Sequence, residues 1–149
     1  MAMGKRVSAM GTAWARLDAL LSRFGTRETV LPGAARFRFG RRGEQIAERH
    51  LRRLGYRIIA RNYRAAGAEV DIIAMDGETI VFVEVKRRSG TAAGSPEEAV
   101  NAAKQEQIRR VARMFVAQYK ASNHDARFDV IGIVESDRTS RIQHLKDAF

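Results

Sequence analysis

Between residues 68 and 86 the chain alternates apolar and charged positions twice. In Ala68-Glu69-Val70-Asp71-Ile72-Ile73-Ala74-Met75, Glu69 and Asp71 oppose Val70 and Ile72; in Val81-Phe82-Val83-Glu84-Val85-Lys86, Glu84 and Lys86 oppose Val83 and Val85. A period of two sends successive side chains to opposite faces of a strand, so each run predicts a strand with one charged face. Asp76-Gly77 stands between them and predicts a type I′ hairpin with those two residues as its loop. On that loop Met75 faces Glu78, Glu69 faces Glu84 and Asp71 faces Phe82. Opposed Cβ atoms lie about 5 Å apart and diagonal ones roughly 7–8 Å. Glu69, Asp71 and Glu84 are thereby gathered on one patch.

Helical spacing governs the flanks. Ile46, Ala47, His50, Leu51 and Leu54 predict a helix over residues 42–54, closed by Gly55 in the left-handed position past its end. Glu44 falls along or beside the buried stripe, where the helix dipole also favours a first-turn acid. His50 reads as a core or interface histidine, no second histidine standing at metal-ligand spacing. A first strand is expected over residues 56–62, then a loop containing Arg64 and Gly67. Arg87, Arg88 and Ser89 open a second loop, basic and rich in small residues, that runs to Gly94. Ser95-Pro96-Glu97-Glu98 is a helix start with a serine cap and proline at the first position. That helix is expected to reach Lys120, with Val100, Ala103, Ile108, Val111, Phe115 and Tyr119 buried and Lys104 on the same face, where a lysine can also snorkel to solvent. Residues 128–134 read as an internal strand, apolar on both faces, and residues 141–145 as a last one. The order α-β-β-β-α-β-β predicts an α/β fold with a mixed sheet between helices.

Composition changes the picture in two ways. The 149 residues suit one domain, and the absence of cysteine excludes disulfides, thiolate zinc sites and cysteine nucleophiles. The net charge of +10 favours a polyanionic partner, nucleic acid before an anionic membrane surface. This excess is uneven: residues 1–42 hold nine Lys or Arg against Asp18 and Glu28, which is +7, and the remainder holds 18 against 15, which is +3. Residues 1–39 therefore read as a basic N-terminal extension ahead of a domain over 40–149. Trp14, Leu17, Leu20, Leu21 and Phe24 predict a short amphipathic helix over residues 12–24, packed on the domain or on a protein partner; a basic arm and a targeting segment are the alternatives. No apolar run approaches the roughly 20 residues of a membrane span, so no stable membrane insertion is expected.

Three carboxylates on one patch repel one another unless a proton or a cation sits among them. Oxygen donors at that density suit a hard divalent ion, Mg²⁺ or Mn²⁺. The plainer alternative is a solvent-facing set of charges on an open sheet, with Lys86 paired to Glu84. The density of acids at one register favours the metal site.

An acid before a hairpin and Glu84-Val85-Lys86 after it resemble the PD-(D/E)XK nuclease superfamily, and the upstream helical Glu44 resembles its Holliday-junction-resolvase branch. More closely, Gly43-Glu44, Gly55-Tyr56, Arg61-Asn62-Tyr63-Arg64, Glu69-Val70-Asp71-Ile72-Ile73, Val81 to Lys86 with Arg88, Val100 with Lys104, Arg127-Phe128-Asp129-Val130 and His144 through Ala148-Phe149 resemble the YraN-like family of small bacterial proteins. Val70 stands where the superfamily often has proline, and Ala68 where the YraN-like pattern usually has glycine. This resemblance implies a restriction-endonuclease-like three-layer fold over residues 40–149 and a cytoplasmic bacterial protein. It also implies a Mg²⁺- or Mn²⁺-dependent endonuclease hydrolysing phosphodiester bonds in DNA, more than RNA, including structured or branched DNA. Asp71, Glu84 and the carbonyl of Val85 would hold the metal, Lys86 would act on the water or the transition state, and Glu44 and Glu69 would hold a second ion or position water. Arg64, Arg87, Arg88 and Lys104 would hold phosphates. A resolvase-like role would want a homodimer. The competing expectations are a catalytically inactive nuclease-fold module that binds nucleic acid, and an assembly factor docking through Trp14, Leu17 and Leu21.

Overall fold

The computed structural model describes residues 41–89, 100–136 and 139–149, together with Ala19, which is helical. The remainder of the helix expected over residues 12–24, and the expected start at residues 95–98, lie outside the described residues. Seven elements follow: α1 Arg41–Arg53, β1 Arg57–Ala65, β2 Ala68–Asp76, β3 Thr79–Ser89, α2 Ala102–Gln118, β4 Ala126–Glu135 and β5 Ser140–Leu145. Their order is the expected one. The strands form one sheet in the order β1-β2-β3-β4-β5, parallel only between β3 and β4, where α2 makes the crossover.

Each face of the sheet buries one helix. Ala47 and Leu51 of α1 pack with Tyr56, Ile72, Ala74, Val81, Val83, Ile131 and Ile133. Ile108, Val111, Ala112 and Phe115 of α2 pack on the other face with Ile73, Met75, Ile80, Phe82 and Val130. Three layers result, helix on sheet on helix. α1 ends as expected: Gly55, at φ 87°, lets its N–H reach the Arg52 carbonyl and that of Tyr56 reach the Leu51 carbonyl, both at 3.0 Å. Among the described residues no helix is long and apolar enough to cross a membrane.

Several local expectations are corrected. The β2–β3 turn uses Gly77 and Glu78, with Asp76 paired to Thr79, so the register is shifted by two residues from the expected one. Of those two loop residues only Gly77 has positive φ, which excludes type I′. The type I′ signs occur at the β1–β2 turn instead, where Ala66 and Gly67 have φ 51° and 72°. Arg64 accordingly lies in β1 and not in a loop. Arg87 to Ser89 stay in β3, because β4 extends to Glu135 and pairs with them. α2 begins at Ala102, with Val100 and Asn101 outside the helix: Asn101 is extended, and its side chain caps the helix by accepting from the Lys104 N–H at 2.9 Å. Leu54 and Ala103 are exposed, each lying beyond the edge of its helix's contact with the sheet. Val70 joins the α2-side core and Ile72 the α1-side core, so strict alternation in β2 breaks between them. β4 is not wholly apolar, for Asp129 is fully buried within it.

Candidate active site at a fork in the sheet

The ladder between β2 and β3 stops at Ile72–Val83. On either side pairing continues, β1 with β2 to Ala65–Ala68 and β3 with β4 to Ser89–Glu135. β2 and β3 therefore part company beyond Ile72, each held by its other neighbour, and the sheet forks. Continuing the observed register places Asp71 across from Glu84 and Glu69 across from Lys86. Asp71 occupies the fork with its side chain: Oδ2 accepts the Val85 N–H at 2.7 Å, replacing the carbonyl a continued ladder would have supplied. In an extended strand a residue's N–H and C=O point to the same edge. The Val85 carbonyl thus faces the fork as well.

Glu84 is 4% exposed and lies between two lysines. Its Oε1 is 2.9 Å from Lys86 Nζ, and its Oε2 is 3.3 Å from Lys104 Nζ. The second contact is an ion pair by distance only. Oε2 is buried without a hydrogen bond among the described residues, since Lys104 Nζ directs its bond at the Glu69 carbonyl, 3.2 Å away. Burial pushes the Asp71 carboxyl up to about 7, and the charges of Glu84 and Glu44 push the same way against the Val85 N–H and Lys104. Glu44, in the first turn of α1, is held toward the fork by Asn62 Nδ2, which donates to its Oε2 at 3.0 Å.

The other expected site residues divide. Arg88 follows Glu84 and Lys86 along one face of β3 and is half-buried. Arg87 projects to the opposite face, where its Nε donates to Glu135 Oε2 at 2.6 Å. Glu69 does not join the acids, because its carboxylate is ion-paired with Arg64. The expected three-acid patch is thus reduced to Asp71 and Glu84, with Glu44 approaching from α1. Among the described residues no three His, Asp or Glu side chains form a ready-made metal cage.

The donors nonetheless fit a hard cation. Two carboxylates and a backbone carbonyl converge, the mixture that Mg²⁺ takes with waters completing its shell. A buried carboxylate oxygen without a hydrogen bond and a neighbouring acid driven to hold a proton near neutrality both mark a place where positive charge is wanted.

Reading the sequence alone gave no role to Asn62, which shapes this region, or to Asp129, which lies outside it. Asn62 adopts φ 47°, a left-handed conformation that asparagine tolerates better than most residues. A polar residue of that type inside a strand was the available signal. Asp129 organises a separate network on the α1 side: Arg127 Nε donates to its Oδ1 at 2.8 Å, His144 Nε2 lies 2.9 Å from its Oδ2, and the Asp147 N–H reaches Oδ1 at 3.0 Å. Arg127 also reaches Asp76 and the Tyr56 hydroxyl, while His144 Nδ1 lies 3.3 Å from His50 Nε2.

Residues 43–133, which include the fork, match the family model described as "Uncharacterised protein family UPF0102". A UPF0102 protein of Geotalea daltonii is 49% identical over 111 residues, covering 74% of this chain and 87% of its own length. A UPF0102 protein of Chlorobium chlorochromatii is 46% identical over 116 residues, covering 74% of this chain and 89% of its own. The chain belongs to the UPF0102 family, the YraN-like group that its motifs resemble.

Proposed function

We propose that the fork is the active site of a divalent-metal-dependent nuclease that hydrolyses phosphodiester bonds in DNA. The observation that carries the proposal is the buried Glu84 oxygen without a hydrogen bond, set beside an acid that holds a proton near neutrality. Asp71, Glu84 and the Val85 carbonyl would hold Mg²⁺ or Mn²⁺. Bound there, the cation would supply Lewis-acid stabilisation of phosphoryl charge and a more acidic water.

The protein's own groups do the rest. Asp71 is oriented by the Val85 N–H and Glu84 by Lys86, so neither carboxylate has to be organised when substrate arrives. Lys86 places its amine beside the reacting phosphate, where it orients water and stabilises charge building on the phosphoryl oxygens. Glu44, held by Asn62, positions water on the α1 side. Arg88 and Lys104 contact phosphates and contribute affinity without reading sequence. Arg64 and Arg87, already paired with Glu69 and Glu135, are weaker candidates for that work. The excess charge of residues 1–42 supports a polyanionic partner.

One observation favours a second reading, a nucleic-acid-binding module without turnover: Glu84 already has two lysines beside it. The test is cleavage of duplex, single-stranded and four-way-junction DNA in Mg²⁺ or Mn²⁺ by wild type, Glu84→Gln and Lys86→Met, compared at equal DNA occupancy. Metal-dependent cutting that falls at least about a hundredfold in both variants is expected. Salt-sensitive binding with no cutting by any of the three would select the binding module.

A further inference from the structure

Lys104 is placed against the preference of its own helix. It stands in the first turn of α2, three residues after the Asn101 cap, where the partial charge of the helix end is positive and a cation is disfavoured. That turn contains no acid to offset it. The side chain reaches instead across the fork, from the Glu69 carbonyl of β2 to the Glu84 carboxylate of β3. Its nitrogen thus sits against a buried carboxylate oxygen that has no hydrogen bond among the described residues, and leaves that oxygen imperfectly satisfied. Lys86 differs, since it holds Oε1 at 2.9 Å, on the other side of the carboxylate.

Resting on the metal-site reading above, we propose that Lys104 is a built-in counter-ion at Glu84 that a divalent cation displaces. Without metal, the lysine shares with Lys86 the task of offsetting the charge of the buried carboxylate, each amine beside its own oxygen. Its hold is loose, 3.3 Å without hydrogen-bond geometry, so a cation with full access to Oε2 replaces it. The lysine then swings out of the fork, available to a phosphate. Metal binding and exposure of Lys104 are one event in this arrangement, and each opposes the reverse of the other.

The test uses the full chain, with Mn²⁺ alone as the probe and no nucleic acid. Lysine-selective labelling followed by peptide mass spectrometry measures the reactivity of Lys104 against that of Lys120, an exposed lysine just past the end of the same helix. Mn²⁺ is expected to raise Lys104 labelling severalfold in wild type and to leave it unchanged in Glu84→Gln. Independently, Lys104→Met is expected to bind Mn²⁺ about fivefold more tightly, as loss of a weak competing ion pair predicts. If Mn²⁺ binds in a Glu84-dependent way but neither Lys104 labelling nor the Lys104→Met affinity changes in these directions, the exchange is wrong and the metal site stands. If wild type and Lys104→Met both fail to bind Mn²⁺, the metal site and the exchange fall together.

Discussion

Asp71 carries the clearest electrostatic signature of the site, and that signature has a sign that can be checked. Its carboxyl is pushed from 3.8 up to about 7 by burial and by Glu84 and Glu44, against the Val85 N–H and Lys104. In metal-free protein the native state therefore keeps a proton that the unfolded chain releases near pH 4. Between about pH 4 and 7 the native state binds more protons than the unfolded one, so stability falls as pH rises through that window. Asp71→Asn removes the ionisation while leaving an acceptor for the Val85 N–H. In EDTA the variant is expected to be more stable than wild type at neutral pH, by on the order of 1–3 kcal/mol, and to lose that advantage near pH 4. Urea unfolding at a series of pH values reads this directly; a difference of the opposite sign, or one independent of pH, would show that the Asp71 charge is not disfavoured. Millimolar Mg²⁺ should reverse the ranking, since the cation stabilises only the protein that retains the carboxylate.

At the scale of elements, turn chemistry decides both what is held and what was legible beforehand. The β1–β2 hairpin places Ala66 at φ 51°, where an alanine Cβ crowds its own backbone. Asn-Gly is the favoured pair for a turn with both residues at positive φ. Ala66→Asn is therefore expected to stabilise the protein by about 0.5–1 kcal/mol, read as a higher urea midpoint with an unchanged slope; an unchanged or lower midpoint would mean that the turn is not the strained point it looks to be. The same chemistry explains the register error. Asp76-Gly77 marked the right hairpin, but the loop fell one residue later, on Gly77 and Glu78. A loop moved by one shifts pairing by two, which preserves which side chains share a face. Asp71 and Glu84 consequently stayed on one patch although their predicted partners were wrong. Glu69 was lost to Arg64, a pairing that depends on how β1 and β2 lie together beyond the fork. The role of Asn62 was hard to assign for a similar reason, since its value lies in meeting Glu44 from another element.

Across the whole molecule the least legible feature is the Asp129 network, because the segments it joins are remote in sequence and none shows by itself which of the others it meets. Asp129 sits in an apolar run, yet it fastens β4 to β5 through His144 and to the end of the chain through the Asp147 N–H. Arg127 extends the tie to the Asp76 end of β2 and to Tyr56 after α1. His50 of α1 meets the far side of His144. Burial works to raise the Asp129 carboxyl, but the hydrogen bonds from His144, Arg127 and the Asp147 N–H outweigh it and hold the group below the usual carboxylate range. A carboxyl whose native value is depressed contributes stability that is present above its unfolded value, near pH 4, and lost as pH falls through the native one. Asp129→Asn offers the same shape without the charge, leaving the half-buried Arg127 guanidinium with Asp76 as its remaining carboxylate partner among the described residues. That loss is expected to cost about 1.5–3 kcal/mol at pH 7, the range for hydrogen bonds to a charged group, a sizeable share of the roughly 5–15 kcal/mol that holds a domain together. The penalty should shrink as pH falls from about 4 toward the depressed native value, where the carboxylate of folded wild type is protonated in turn. Urea unfolding of the two proteins at neutral and acid pH measures it. An equal penalty at both would assign the network's contribution to packing, whereas convergence in acid assigns it to the charge that ties β5, β2 and the last residues to β4, within the sheet that forms the fork.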